Sequence, residues 1–313
     1  MQMRKTAWFT SVNIRYLDRA AILVKSMKEI HPDWDAYLLL VDGYDSSIDE
    51  ITRLFDFIIL PEDVVDEDPN SWMKVRTRDV ESNSVGSWLA QHSVTEACTA
   101  VKPFAMRYLS RKYDLVFYLD PDLVVFNELS AVLEPLENGS SIVLTPHQLE
   151  PETDWQAIVD NEFGSLRTGI YNFGFLGVNS HSKEAQKFLD FWADRLKYFC
   201  LEESKDGLFT DQKWGNLVPI YFKDTHVTNH PGLNVASWNL SKREFTLDDN
   251  GDFLVNGHPL IFYHFSQALD AGLTMTKRYS NENVLVADMW RWYLEQLDQY
   301  RKLVPALKWK YAK

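Results

Sequence analysis

The sequence predicts an α/β protein: a mostly parallel central sheet flanked by helices. Three observations carry this. Short apolar runs alternate with helical patterns from the N-terminus to Leu60. The run Leu115–Leu119 is continuously apolar, as a strand buried on both faces must be. Strands that alternate with helices pair in parallel, because each helix carries the chain back across one face of the sheet.

Residues 7–10 read as a strand, and 18–30 as a helix ended by His31-Pro32. Residues 37–41 are an apolar run closed by the Asp42-Gly43 turn signal. Ser47 and Glu50 have the spacing of a capping box that opens a helix, and 57–60 is a strand stopped by Pro61. Residues 61–93 break the alternation. They begin acidic and continue polar around Trp72, Arg76, Arg78 and Trp88, which predicts a partly ordered loop near the site. A helix over 94–112, bent at Pro103, leads into Leu115–Leu119. Tyr171–Asn179 (YNFGFLGVN) has two glycines in an apolar run, which marks strands passing close to something else. Residues 182–199 carry Ala185, Phe188, Leu189, Trp192, Leu196 and Phe199 at helical spacing. No linker divides the chain, so residues 1–289 read as one domain and 290–313 as an aromatic and basic helical extension.

The 313 residues carry a formal net charge of -13, and such a surface excludes general nucleic-acid binding. The high aromatic content, 14%, is core with a share left for lining a pocket. Cys98 and Cys200 lie in apolar helical contexts and read as reduced thiols. The N-terminus has no apolar stretch of the signal-peptide kind, and no run reaches a membrane span, so a cytoplasmic protein is expected. The last 13 residues hold Arg301, Lys302, Lys308, Lys310 and Lys313 and no acid. That tail is either a packed helix with a solvated basic end or a weak contact with the inner, anionic face of a membrane.

The sharpest signal is Asp120-Pro121-Asp122, directly after the buried strand. Ligands of parallel α/β sheets bind beyond the carboxyl ends of the strands. Two carboxylates there favour a hard divalent cation, magnesium or manganese, which also binds diphosphate oxygens. The competing reading is a pair that caps the next turn.

The stretch 101–129 resembles the metal-binding core of GT-A-fold nucleotide-sugar transferases, and more narrowly a group of bacterial glycosyltransferases. Further motifs of that group follow in order: LTPH at 144–147, YNFGFLGVN at Tyr171–Asn179, FTDQKWGNLVP at 209–219, HPGLNVASWNL at 230–240 and PLIFYHFS at 259–266. A more distant similarity is to the retaining glycosyltransferases of family 8. The resemblance implies a GT-A-like catalytic domain over 1–289 and three metal ligands, Asp120, Asp122 and His264. It implies a nucleotide-sugar donor, with a UDP-sugar favoured, and a bacterial surface glycan or glycolipid as acceptor. It sets Asp211 and Gln212 near the anomeric carbon or the acceptor, where they could stabilise charge on the sugar. Thr10, Ser11 and Asn13 match the loop that holds base and ribose, although this sequence lacks the carboxylate common there.

Each assignment has a plainer rival. His264 could be an inert buried histidine, Asp211 an N-cap, and the Thr10–Asn13 stretch a helix cap. Lys102 could reach the donor phosphates, pair with an aspartate of the turn, or be solvated. Asn172 could bind sugar hydroxyls or close a strand; His147, His230 and Asn234 rest on the motif match. Two other functions stay open. A sugar-phosphate nucleotidyltransferase would carry a Gly-rich phosphate loop after the first strand, and WFTSVNIRYLD has no glycine. A non-catalytic sugar-binding protein would not need Asp120, Asp122, His264 and Asp211 together.

Overall fold

The computed structural model describes residues 4–65, 82 and 84–312. Its strands are β1 (Thr6–Val12), β2 (Asp35–Leu40), β3 (Phe57–Ile59), β4 (Leu115–Leu119), β5 (Leu123–Val125), β6 (Ile142–Pro146) and β7 (Tyr171–Asn179). They continue with β8 (Thr225–Val227), β9 (Val235–Ala236), β10 (Phe245–Leu247), β11 (Phe253–Val255), β12 (His258–Pro259) and β13 (Phe262–His264).

The main sheet has seven strands in the order β3-β2-β1-β4-β7-β6-β8. Its pairings are parallel except those of β7, which runs against β4 and β6. Strand order reverses between β1 and β4. β1 leads outward to β2 and β3, whereas β4 lies on its other side. The carboxyl ends of β1 and β4 therefore flank the crevice where such sheets bind ligands.

Alternation along the strands builds two cores. Trp8 and Val12 of β1, Leu38 of β2, and Leu115, Phe117 and Leu119 of β4 face one cluster. Ala7, Phe9, Leu39, Val116 and Tyr118 face the other. Each buried strand thus has both faces covered, which explains the unbroken apolar run in β4.

Local signals differ from the expectation in four places. Asp45, not Ser47, caps the turn at Ser46–Ile48, its carboxylate accepting from the Ser47 N–H at 2.9 Å. The 94–112 helix is two helices, Val94–Ala100 and Lys102–Leu109. Pro103 lies in the first turn of the second, where its missing N–H is tolerated. Of the expected loop 61–93, Pro61–Val64 and Val85–Leu89 are helical, and Trp88 is buried. Trp72, Arg76 and Arg78 lie outside the described residues. The boundary expected at 289/290 falls inside the helix Val284–Arg301, which sends Trp290, Tyr293, Leu297 and Tyr300 into the first core. Helix Lys183–Phe199 forms as expected, capped by Ser182, and both cysteines are free thiols.

The tail beyond that helix is held by the domain. Trp309 and Tyr311 pack against the second core, Lys310 Nζ lies 3.8 Å from Glu62, Lys302 pairs with Asp298, and Arg301 faces Asp18 at 3.5 Å. Among the described residues, no helix is long and apolar enough to cross a membrane.

Candidate active site

β4 ends at Leu119, and the chain turns at once: the Leu123 N–H donates to the Asp120 carbonyl at 3.1 Å. Asp120 is tied to the neighbouring strand by its own N–H, which donates to the Gly174 carbonyl at 2.7 Å. After the turn, β5 enters a second, three-stranded sheet, β5-β13-β9. There His264 stands opposite Leu123, and the Phe265 N–H donates to the Asp122 carbonyl at 2.8 Å. This register brings a distant histidine to the Asp120-Pro121-Asp122 turn. His264 Nε2 lies 3.0 Å from Asp122 Oδ1 and 3.9 Å from Asp120 Oδ2.

One ligand atom from each of Asp120, Asp122 and His264 lies within 4.8 Å of the others. Donors about 2.1 Å from an octahedral cation sit roughly 3 Å apart at right angles, so the Asp122–His264 spacing fits one. Two carboxylates and an imidazole suit a first-row divalent ion. Burial raises the Asp122 carboxyl, but His264, and then Arg19, outweigh it and hold the group below the usual carboxylate range. Burial likewise lowers His264, while Asp122 and Asp120 push it up further than that.

Asn172 orients the imidazole. Its Oδ1 accepts from the Gly174 N–H at 2.6 Å, which leaves its Nδ2 facing His264 Nδ1 at 3.3 Å. Nε2 is the ring nitrogen that faces Asp122. Gly174 is required here. A Cβ on it would lie 2.6 Å from Asp120 Oδ2 and 2.7 Å from both Asn172 Oδ1 and His264 Cε1. The glycine signal in YNFGFLGVN marks this approach.

Behind the turn, Lys102 is 5% exposed. Its Nζ donates to Asp120 Oδ1 at 3.2 Å and lies 3.4 Å from Asp211 Oδ2. It also sits 4.2 Å from the centre of the Tyr118 ring, whose hydroxyl donates to Asp120. Lys102 is thus a paired cation and not a solvated one. Burial alone would lower it, and the two aspartates raise it. Burial lifts the Asp211 carboxyl above its ordinary range, and Lys102 opposes that shift. Asp211 stands at the N-cap position of the helix Gln212–Gly215 but makes no side-chain cap bond to it. Thr210, directly before the buried Asp211, takes a left-handed backbone conformation at φ 44°.

The other expected residues divide. Thr10 is buried at the end of β1 with Oγ1 unpaired among the described residues, and Ser11 Oγ donates to the Cys98 carbonyl at 2.7 Å. Asn13 stands at the N-cap of the turn Ile14–Tyr16 but makes no side-chain cap bond to it. Asn234, at φ 52°, donates to the Pro146 carbonyl and keeps a buried, unpaired Oδ1. Gln212 is not joined to the carboxylates: its Nε2 donates to the Thr168 carbonyl at 3.3 Å. His230 accepts from the Gly232 N–H and rests against His258, away from the turn. His147 packs edge-on against Trp238, and Trp238 against His264, with ring centres 5.4 and 5.3 Å apart. Burial drops His147 to about 4. Trp238, Tyr118 and Arg19 are site neighbours that sequence reasoning missed. Tyr118 could have been found, because it shares a strand face with Asp120 two residues on.

No family model matches the chain. The uncharacterized protein YfnF of Bacillus subtilis (strain 168) is 24% identical over 265 residues, spanning 83% of this chain and 81% of that one. The uncharacterized protein YfnD of the same organism is 31% identical over 177 residues, 55% of this chain and 53% of its own length. Among solved structures, the galactosyltransferase LgtC, in complex with donor and acceptor sugar analogs, aligns with a TM-score of 0.51 at 14% identity, covering 95% of this chain and 99% of that one. That likeness shows the fold: the chain has the GT-A architecture that its motifs imply.

Proposed function

We propose that this protein is a metal-dependent glycosyltransferase that moves a sugar from a nucleotide-diphosphate donor to an acceptor hydroxyl. The single observation that carries the reading is the convergence of Asp120, Asp122 and His264 at the carboxyl end of β4, beside the switch point of a GT-A sheet. A bound manganese or magnesium ion would neutralise charge on the departing diphosphate. The chain's own groups account for the rest. Asp120 and Asp122 supply hard oxygen donors, and Asn172 fixes the imidazole. Lys102 pairs with both Asp120 and Asp211 behind the turn. Asp211 carries a carboxylate that can face positive charge developing on a sugar ring. Thr10 and Asn13, at the end of β1, are assigned to the base and ribose on the motif resemblance.

The finer proposals are a UDP-sugar donor, transfer with retention, and a surface glycan or glycolipid acceptor reached from the cytoplasm. They rest on the motif resemblance. The test is turnover. The protein is incubated with UDP-, GDP- and dTDP-sugars and manganese, and release of nucleoside diphosphate is followed. The reading expects release with one donor class, lost on chelation and in Asp122→Asn. Pyrophosphate release from a nucleoside triphosphate and a sugar phosphate would replace it with nucleotidyl transfer. No turnover by wild type, together with tight sugar binding, would replace it with a binding protein.

A further inference from the structure

Across the main sheet from the helix that carries Lys102 lies a second charged cluster, built where helix Leu17–Ile30 meets helix Val284–Arg301. Asp18 is 1% exposed, and a carboxylate so buried needs a cation. It has two. Arg19 Nη1 donates to Asp18 Oδ1 at 2.9 Å, and Arg301 Nε lies 3.5 Å from Asp18 Oδ2. One guanidinium is therefore surplus to the neutrality of Asp18. The Arg19 side chain is 13% exposed, and its guanidinium lies over the Tyr16 ring at 4.4 Å.

The register of the helix on the second sheet sets which way this surplus charge lies. Ser26 Oγ accepts from the Val125 N–H, and His31 Nε2 accepts from the Leu129 N–H. Helix and chain thus run alongside each other, and moving back along the helix moves back toward Asp122. Arg19 precedes Ser26 by two turns on the same face, about 10 Å toward the metal ligands. Arg19 lies near enough to Asp122 for the two charges to interact. Lys102 cannot serve an incoming anion without releasing Asp120 and Asp211, whereas Arg19 can turn away and leave Asp18 paired with Arg301.

We infer that Arg19 is a phosphate-binding residue, which grips the diphosphate of the donor from the side opposite Lys102, with Asp18 and Arg301 as positioning residues. This rests on the nucleotide-sugar reading above. A planar guanidinium meets phosphate oxygens in pairs, a geometry that suits a diphosphate better than a sugar or a base. The test titrates inorganic pyrophosphate and, separately, UDP into manganese-loaded protein by calorimetry, for wild type, Arg19→Lys and Arg19→Gln. The expected result is a loss of tenfold or more for both ligands in Arg19→Gln, a smaller loss in Arg19→Lys, and unchanged melting temperatures. Manganese affinity without phosphate should not fall in either variant, since Arg19→Gln removes a cation near the ligands and Arg19→Lys adds none. A mere packing role would weaken metal and phosphate together, and that outcome overturns the proposal. Equal pyrophosphate affinity in all three proteins also overturns it while leaving the glycosyltransferase reading intact. If wild type binds neither pyrophosphate nor UDP, both fall.

Discussion

Gly174 and Asp120 are adjacent across the β4–β7 ladder, and the absent Cβ of Gly174 would fall 2.6 Å from Asp120 Oδ2. The site is assembled around that gap. Gly174→Ala should displace Asp120, Asn172 or His264, at about 1–3 kcal/mol of overpacking strain. Manganese titration should show affinity lower by tenfold or more. An alanine variant with wild-type metal affinity would mean that the three side chains do not work in the arrangement described.

Lys102 is the sole described partner of Asp211 that carries opposite charge. Lys102→Met should leave two carboxylates facing each other in a buried place, a loss of about 3–5 kcal/mol. Adding Asp211→Asn should recover part of it, because one of the stranded charges is gone. Urea unfolding of the two single variants and the double variant measures the coupling; additive effects would deny the pairing.

His147 gives a pH signature. Its folded value of about 4 lies below the unfolded value near 6.5, so the unfolded chain takes up the proton first. Stability is complete above pH 6.5 and falls as pH drops to 4, by up to about 3 kcal/mol. Asp42 has the opposite sign. Burial raises it to about 6, so it gains stability over part of the same range. The measurement is therefore the difference between wild type and His147→Gln, which should lose the His147 slope and keep that of Asp42.

Metal uptake should release a proton. His264 is raised by Asp122 and Asp120, so its protonated form stabilises the metal-free fold below the unfolded imidazole value. That contribution disappears as pH rises through the folded value. A proton on Nε2 must leave before that nitrogen can ligate, so manganese affinity should rise with pH over the same window. Calorimetry in buffers of different ionisation enthalpy would count the proton; zero release would remove His264 from the ligand set.

Much of this is legible in the sequence alone. Leu115–Leu119 is apolar because both faces are covered, and the aspartates that end it sit where a parallel sheet binds its ligand. His264 was reached only through resemblance, since no local pattern ties PLIFYHFS to a strand pairing with residue 123. Arg19 and Trp238 are single side chains whose place depends on how two elements cross, and periodicity is silent about that. Ser47 and Glu50 had the right spacing for a capping box, but Asp45 precedes them and takes the turn with its own carboxylate. Gln212 follows Asp211 by one residue on a short helix, which aims it at the Thr168 carbonyl instead of the carboxylates.

The central claim is that Asp120, Asp122 and His264 together hold a divalent cation that a nucleoside diphosphate then shares. The most direct measurement is manganese binding, followed by electron paramagnetic resonance with and without UDP, in wild type, Asp122→Asn and His264→Ala. The account predicts binding in wild type that tightens when UDP is added, and a loss of tenfold or more in each variant. Equal manganese binding in all three proteins would contradict it.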